Sequence, residues 1–405
     1  MGGAETSLRE LLAAVRAAEP DWEIWLVLGE DGPLAGIARE LGVQVAVLAF
    51  PAALARIGDS GKSKWQALWS LAQATPAALS YVRRLGRHLR ALRPDIIHTN
   101  GFKMHLLGSW VCPPETQLVW HIHDYVSARA LMSRLLRNRA HRCAGAIANS
   151  HSVAADLAQV APGLKVSVLY NAIDLTRFAP EGESCALDAA AGLPPAEAGT
   201  VRVGLVGTFA RWKGHKVFLQ ALSRLGPERA IRGYIIGAPI YQTSGSQWSL
   251  DELKQTANAL GLSERVGFTG FLEDPARAMR ALDIVVHAST QPEPFGMVVI
   301  EGMACGKAVI ASAAGGATEL FEENRDAVSH QPGDAAGLAE QIGRLAADPA
   351  LRRRLGKAGR VTAERMFHGK RLSGKLLAIY GEILPPGSHR TGPALKDENE
   401  PCALV

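Results

Sequence analysis

Two carboxylates, Glu293 and Glu301, stand seven residues apart in the stretch Gln291-Pro-Glu-Pro-Phe-Gly-Met-Val-Val-Ile-Glu301-Gly-Met-Ala-Cys-Gly-Lys-Ala-Val-Ile-Ala-Ser312. Pro292 and Pro294 deny a helix to its first residues. Phe295 and Gly296 open a helix whose first N–H groups have no partner inside it. Gly306 ends that helix, and Ala308 to Ala311 make a short buried strand. A helix N-terminus beside a glycine suits phosphate or another anion. Carboxylates repel phosphate but accept hydrogen bonds from hydroxyls. The stretch therefore offers amides to an anion and carboxylates to hydroxyls, and a sugar nucleotide presents both groups.

Cations and histidines supply the other candidate chemistry. Val206-Gly-Thr-Phe-Ala-Arg-Trp-Lys-Gly214 reads as strand, turn and helix start, with Arg211 and Lys213 in the turn. A cation on two phosphates neutralises charge developing on a leaving group; surface cations capping a loop are the plainer reading. His123-Asp124 closes a strand, and His121, two residues earlier, points to the same face of it. His98, Asn100 and Lys103 close the neighbouring strand. For each of these, packing and internal hydrogen bonding stand as the alternative to ligand binding.

The string around Glu293 and Glu301 resembles the E-x7-E signature of retaining glycosyltransferases of family 4, which have the GT-B fold. Lys213 matches the family's V-G-R-x-x-x-x-K-G, with Thr208 at the Arg position and Arg211 three residues on. Asn171-Ala-Ile-Asp-Leu-Thr-Arg-Phe178 is similar to N-G-I-D-x-x-x-F, with Ala172 for glycine. The resemblance implies residue roles. Glu293 and His123 act at the donor sugar. The backbone N–H groups of Phe295, Gly296, Met297 and Val298 face sugar and phosphates. Glu301 holds the ribose, Leu272 contacts the base, Arg211 and Lys213 hold the diphosphate, and Gly2 and Gly3 let the chain approach it. His98, Asn100, Lys103 and His121 line the acceptor side. It further implies a nucleotide-sugar donor, UDP- or GDP-linked, and no cofactor or metal. The acceptor is a sugar, a lipid-linked or a small molecule, and nucleic acid is not a partner.

These residues need a scaffold. Apolar strand-like runs alternate with helical patterns from Ile24 to Leu384, and several runs end in polar residues, the pattern of a parallel doubly wound sheet. The expectation is α/β: two Rossmann-like domains facing a cleft, with residues 1–178 on the acceptor side and a linker at 179–199. Residues 200–370 bind the nucleotide sugar, 371–384 form a helix crossing back to the first domain, and 385–405 are a disordered tail. Strands are expected at Val201–Val206 and Ile284–His287 among others, and a helix from Ala77 to Leu92. In the family a G-G-A-E segment follows the first strand; here Met1 alone precedes it, so that strand is expected to be missing.

The chain has 405 residues, 47% apolar and 20% charged, with no run long enough to span a bilayer. Five scattered cysteines argue for reduced thiols in a cytosol and against a zinc site. The first 178 residues carry 19 basic against 14 acidic side chains, the whole net +5 of the chain. Either this is a solvated surface or the first half faces an anionic membrane. Trp65 and Trp69 beside Lys62 and Lys64, and the five arginines from Arg83 to Arg93, point at the second reading. The expected location is cytoplasmic, with peripheral contact at the inner face of the plasma membrane. The expectation is retaining transfer of a sugar to an acceptor hydroxyl, in polysaccharide, glycolipid or glycosylated metabolite synthesis. A nucleotide-sugar epimerase and a catalytically impaired sugar-nucleotide binder remain alternatives.

Overall fold

Short runs such as Gly145–Ala148, Ile284–His287 and Ala308–Ser312 are buried at every residue, which only a parallel sheet covered on both faces provides. The computed structural model describes residues 3–51, 64–226, 229–239, 245–384 and 402–404. Its contacts divide the chain into two units, Met1–Ala172 with Gly369–Val405, and Ile173–His368.

The first unit holds strands Ile24–Leu28 (β1), Gln44–Val47 (β2), Ile96–Asn100 (β3), Gln117–Ile122 (β4), Gly145–Ala148 (β5) and Val166–Val168 (β6). The second holds Val201–Val206 (β7), Ile231–Ile236 (β8), Val266–Gly270 (β9), Ile284–His287 (β10), Ala308–Ser312 (β11) and Val328–His330 (β12). A last strand, Cys402–Leu404 (β13), belongs to the first unit. The sheet orders are β2-β1-β13-β3-β4-β5-β6 and β12-β11-β10-β7-β8-β9. Every named pairing in both sheets is parallel.

Side-chain alternation assigns each residue of the first sheet to a face. Ile97, Leu118, Trp120 and Ile122 pack under Tyr81, Leu85 and Leu89 of the helix Lys64–Leu92. Ile96, Val119 and Ile147 pack on the other face, under Leu8, Leu12 and Val15 of the helix Gly3–Ala18 and Leu372, Leu376 and Tyr380 of the helix Gly369–Ile383. His98, Asn100, His121 and His123 fall on this second face. In the second unit one core joins Val203, Leu205, Ile235, Val286 and Ile310 to Phe218 and Leu222 of the helix His215–Ser223 and to Leu338 and Ile342 of the helix Ala335–Ala347.

Three expectations are corrected. Between β1 and β3 lies β13, parallel to both neighbours. Open strand edges recruit a further strand, and a segment from the expected disordered tail takes the position; residues 385–401 and Val405 lie outside the described residues. The helix expected from Ala77 begins at Lys64 and runs through Pro76. Residues 179–199 pack on the second unit: Leu187 is buried, and Asp188 accepts from Arg202 (3.1 Å), Arg232 (2.7 Å) and Tyr234 (2.5 Å). These part-buried contacts make the segment a piece of the second unit. Among the described residues no helix is long and apolar enough to cross a membrane.

Candidate functional site

Strands β7 and β10 pair directly, so the turns leaving them lie side by side. Gly214 makes the approach feasible: its φ is +78°, and a Cβ there would fall 1.8 Å from the Ala288 carbonyl oxygen. The Trp212 carbonyl accepts from the Thr290 N–H at 2.7 Å. Lys213 is thereby carried to Glu293, with Nζ 2.7 Å from Oε1 and 3.0 Å from Oε2.

Two further donors fix the same carboxylate. Ser289 Oγ donates to Glu293 Oε2 at 2.7 Å, and His287 Nε2 lies 3.2 Å from that oxygen. The Ser312 N–H donates to His287 Nδ1 at 3.2 Å; Nδ1 is therefore the bare nitrogen and Nε2–H the donor. The backbone of Glu293 is tied as well, its carbonyl accepting from the Gly316 N–H at 2.7 Å. Glu293 is 7% exposed. Burial alone would raise its carboxyl pKa, but the Lys213 ammonium and the His287 hydrogen bond outweigh burial and hold it well below the usual range. The result is a rigid, ionised carboxylate.

Immediately after it, Gly296, at φ +105°, is the N-cap of the helix Met297–Ala304 and itself makes no side-chain cap bond. Phe295 is buried with its ring edge-on to Phe367, while Met297 and Val298 are half-buried. Glu301 is half-buried in the second turn, and Leu272 is half-buried just beyond β9. Arg211 is elsewhere engaged: it bonds Glu252 at 3.3 Å and lies 3.7 Å over the Trp248 ring. The two cations predicted for one diphosphate thus have different partners.

The first unit gathers a second cluster at the carboxyl ends of β3, β4 and β5. His98 Nδ1 lies 2.6 Å from the Tyr380 hydroxyl and His98 Nε2 lies 3.0 Å from His121 Nδ1. The His121 and His123 rings have centroids 4.0 Å apart and are tilted by 36°. His123 Nε2 bonds Asn100 Oδ1 at 2.9 Å, and Asn149 Nδ2 donates to the His123 carbonyl at 3.3 Å. Burial lowers the pKa of His98 to about 3 and of His123 to about 4, and carries His121 well below its ordinary value. All three rings are uncharged at neutral pH. Lys103 stands apart from this group, its ammonium 5.9 Å from the Phe50 ring. Gly2 lies outside the described residues, and Gly3 opens the helix Gly3–Ala18.

Sequence reasoning missed His287, Ser289, Ser312, Asn149 and Tyr380. The first four end buried strands or follow them directly, the same signal that marked His98 and His123. Tyr380 gives no local signal, being 282 residues from its partner. Among the described residues no group of three or more His, Cys, Asp or Glu side chains is arranged to hold a metal ion.

Residues 1–177 match the family Glycosyltransferase Family 4, and residues 196–362 match Glycosyl transferases group 1. A Rhizobium meliloti (strain 1021) lipopolysaccharide core biosynthesis glycosyltransferase, LpsD, is 38% identical over 32% of this chain and 38% of its own length. A D-inositol 3-phosphate glycosyltransferase of Mycobacterium sp. (strain JLS) is 36% identical over 47% of this chain and 42% of its own. The chain thus spans about two fifths of these curated relatives. The crystal structure of Anabaena HepE in complex with UDP superposes with a TM-score of 0.76 at 25% identity, covering 94% of this chain and 96% of that one. HepE is also solved with UDP-glucose, with the same figures.

Proposed function

The chain belongs to glycosyltransferase family 4, and from that premise we propose that it transfers a sugar, with retention, from a nucleotide-sugar donor to an acceptor hydroxyl. The observation that carries this reading is the fixed Glu293 carboxylate, with Lys213 on it and a helix N-terminus following at Gly296. Sugar hydroxyls suit the carboxylate, and the donor phosphates suit the amides of Phe295 to Val298 together with Lys213. Glu301 and Leu272 would meet the ribose and base. No metal is called for, since a lysine and a helix N-terminus offer positive charge to the leaving group. UDP is the favoured nucleotide, supported by the UDP and UDP-glucose complexes of HepE.

A thermal-shift panel of UDP-, GDP-, ADP- and TDP-sugars tests the donor, because a ligand that binds the folded state raises its melting point. UDP-glucose should give a shift that Lys213→Ala abolishes. No shift from any donor would overturn the reading, and a shift without transfer would favour the impaired binder. The anomeric configuration of a product, read by NMR, decides retention. For the acceptor, the sugar, lipid-linked and small-molecule classes stay open. Exposed Arg83, Arg87 and Arg90 on a helix anchored by Tyr81, Leu85 and Leu89 favour a lipid-linked one used at an anionic membrane face, and with it a cytoplasmic, peripheral location.

A further inference from the structure

The chain Tyr380–His98–His121 can run in either of two directions, set by which atom of the Tyr380–His98 contact donates. O–H···O bonds run at about 2.5–3.0 Å and N–H···O bonds mostly at about 2.7–3.2 Å. The Tyr380–His98 separation of 2.6 Å belongs to the first range. Taking the hydroxyl as the donor to His98 Nδ1 puts the single proton of the neutral His98 ring on Nε2. That N–H donates to His121 Nδ1 at 3.0 Å. His121 is then left with its proton on Nε2, an atom that is buried and makes no hydrogen bond in the protein. His121 is 2% exposed and His98 fully buried.

A second donor of the same kind lies beside it. With Asn100 Oδ1 engaged by His123 Nε2, Asn100 Nδ2 is likewise buried and makes no hydrogen bond in the protein. Asn100 and His121 are directly paired in register across β3 and β4. A buried N–H without a partner costs about 1–3 kcal/mol. Two of them on one face of a sheet, at the carboxyl ends of adjacent parallel strands, suit an oxygen that arrives with a ligand.

We infer that Tyr380 and His98 are positioning residues that lock His121 as its Nε2–H tautomer, so that His121 presents an uncharged N–H donor to a substrate oxygen. The donor role rests on the transferase reading; the tautomer lock does not. The low pKa values of His98 and His121 agree with it, since a neutral ring is what a tautomer lock requires. A protonated His121 would donate from both nitrogens and need no relay. The helix Gly369–Ile383 thereby contributes more than apolar packing to the first unit: it carries the hydroxyl that sets the polarity of the chain.

Nitrogen NMR of the full chain with labelled histidine reads the ring protons directly. His121 should show a protonated Nε2 and a bare Nδ1 at neutral pH, and Tyr380→Phe should turn it into a mixture of tautomers while circular dichroism stays native. If Tyr380→Phe does not fold, His98→Gln serves as the second variant. A wild-type His121 protonated on Nδ1, or a tautomer unmoved by a folded Tyr380→Phe, overturns the lock whether or not the chain transfers sugar. For the donor role, His121→Gln keeps an N–H and His121→Leu does not. The Gln variant should retain about tenfold more kcat/KM, the value of one hydrogen bond. Equal impairment of the two variants would overturn that role.

Discussion

Glu293 in the second unit is 7% exposed and charged, met by an ammonium, a hydroxyl and an imidazole N–H. His98 and His121 in the first unit are 0% and 2% exposed and uncharged, met by each other and by Tyr380. Burying an ionised group is costly unless it is paired, and burying a neutral imidazole costs only its unmet hydrogen bonds. The second unit has solved the problem by pairing and the first by neutralising. A paired charge fits binding of a charged and hydroxylated ligand. Neutral rings fit recognition of a group whose own charge is not at issue.

The comparison breaks most visibly at Lys213. Replacing it by alanine strands the carboxylate at its buried position, and breaking a buried pair from one side costs on the order of 3 kcal/mol. Glu293→Gln removes the buried charge, and Lys213, with its side chain 22% exposed, can turn to water. Its stability cost should be nearer 1–2 kcal/mol, while turnover falls about 10²–10³-fold, the usual effect of deleting a preorganised polar group at the reacting centre. Chemical denaturation and turnover, measured on both variants, check the order. Equal stability loss in the two would mean that the pair is not the means by which the second unit holds its site.

Acid separates the units next. His98 and His123 have folded-state pKa values of about 3 and 4, below the ordinary 6.5. The unfolded chain therefore takes up protons first, and stability contributed by these neutral rings is lost as pH falls from 6.5 towards 4. His105 and His121 in the same unit are lowered in the same direction, burial being the first cause. Glu293 responds in the same direction but in a lower pH window. Its pKa is depressed from 4.5, so its contribution is complete above that value and is lost only as pH falls further. His215 and His330 add some lability near pH 6 to the second unit. Amide exchange at pH 7 and pH 5 should show the larger loss of protection in β3, β4 and β5. Equal loss around β7 and β10 would remove the distinction.

The two units also differed in how much their sequence disclosed. Val201–Val206 and Ile284–His287 are strands with the expected bounds, because a strand buried on both faces is an unbroken apolar run. The helices Phe102–Val111, Ala130–Arg139 and His151–Val160 in the first unit were not read. Phe102–Val111 buries most of its circumference, and Ala130–Arg139 has one fully buried residue, Leu136, so neither shows a clear stripe. Pro76 reads as a helix stop, yet the helix runs through it. The Glu293 and Lys213 sites were visible as a motif, but their hydrogen bond depends on β7 pairing with β10, which no local pattern encodes. Tyr380 and β13 come from the far end of the chain, and neither carries a signal of the strands it joins.

The smallest effect concerns charge at the surface. The first unit carries 23 basic against 17 acidic residues, and the second 21 against 22. Both units expose large apolar side chains, Val47, Leu79, Trp110 and Leu131 in the first and Phe271 and Val361 in the second among the described residues. Leu79, on the basic helix, is 48% exposed. If the first unit meets an anionic membrane, charge is what selects it. Arg83, Arg87 and Arg90 are exposed, whereas Arg84 donates to the Ala49 carbonyl at 2.9 Å and serves the fold. Changing those three to Gln should alter stability by no more than about 0.5 kcal/mol. It should weaken binding to anionic vesicles by up to about 1 kcal/mol per residue, and the difference should vanish at high salt. Exposed Arg224 and Arg353 in the second unit give the matched control. Their replacement by Gln should leave vesicle binding of the full chain unchanged. Equal weakening by both sets would mean that the vesicles sense net charge alone, and the basic helix would then be a solvated face.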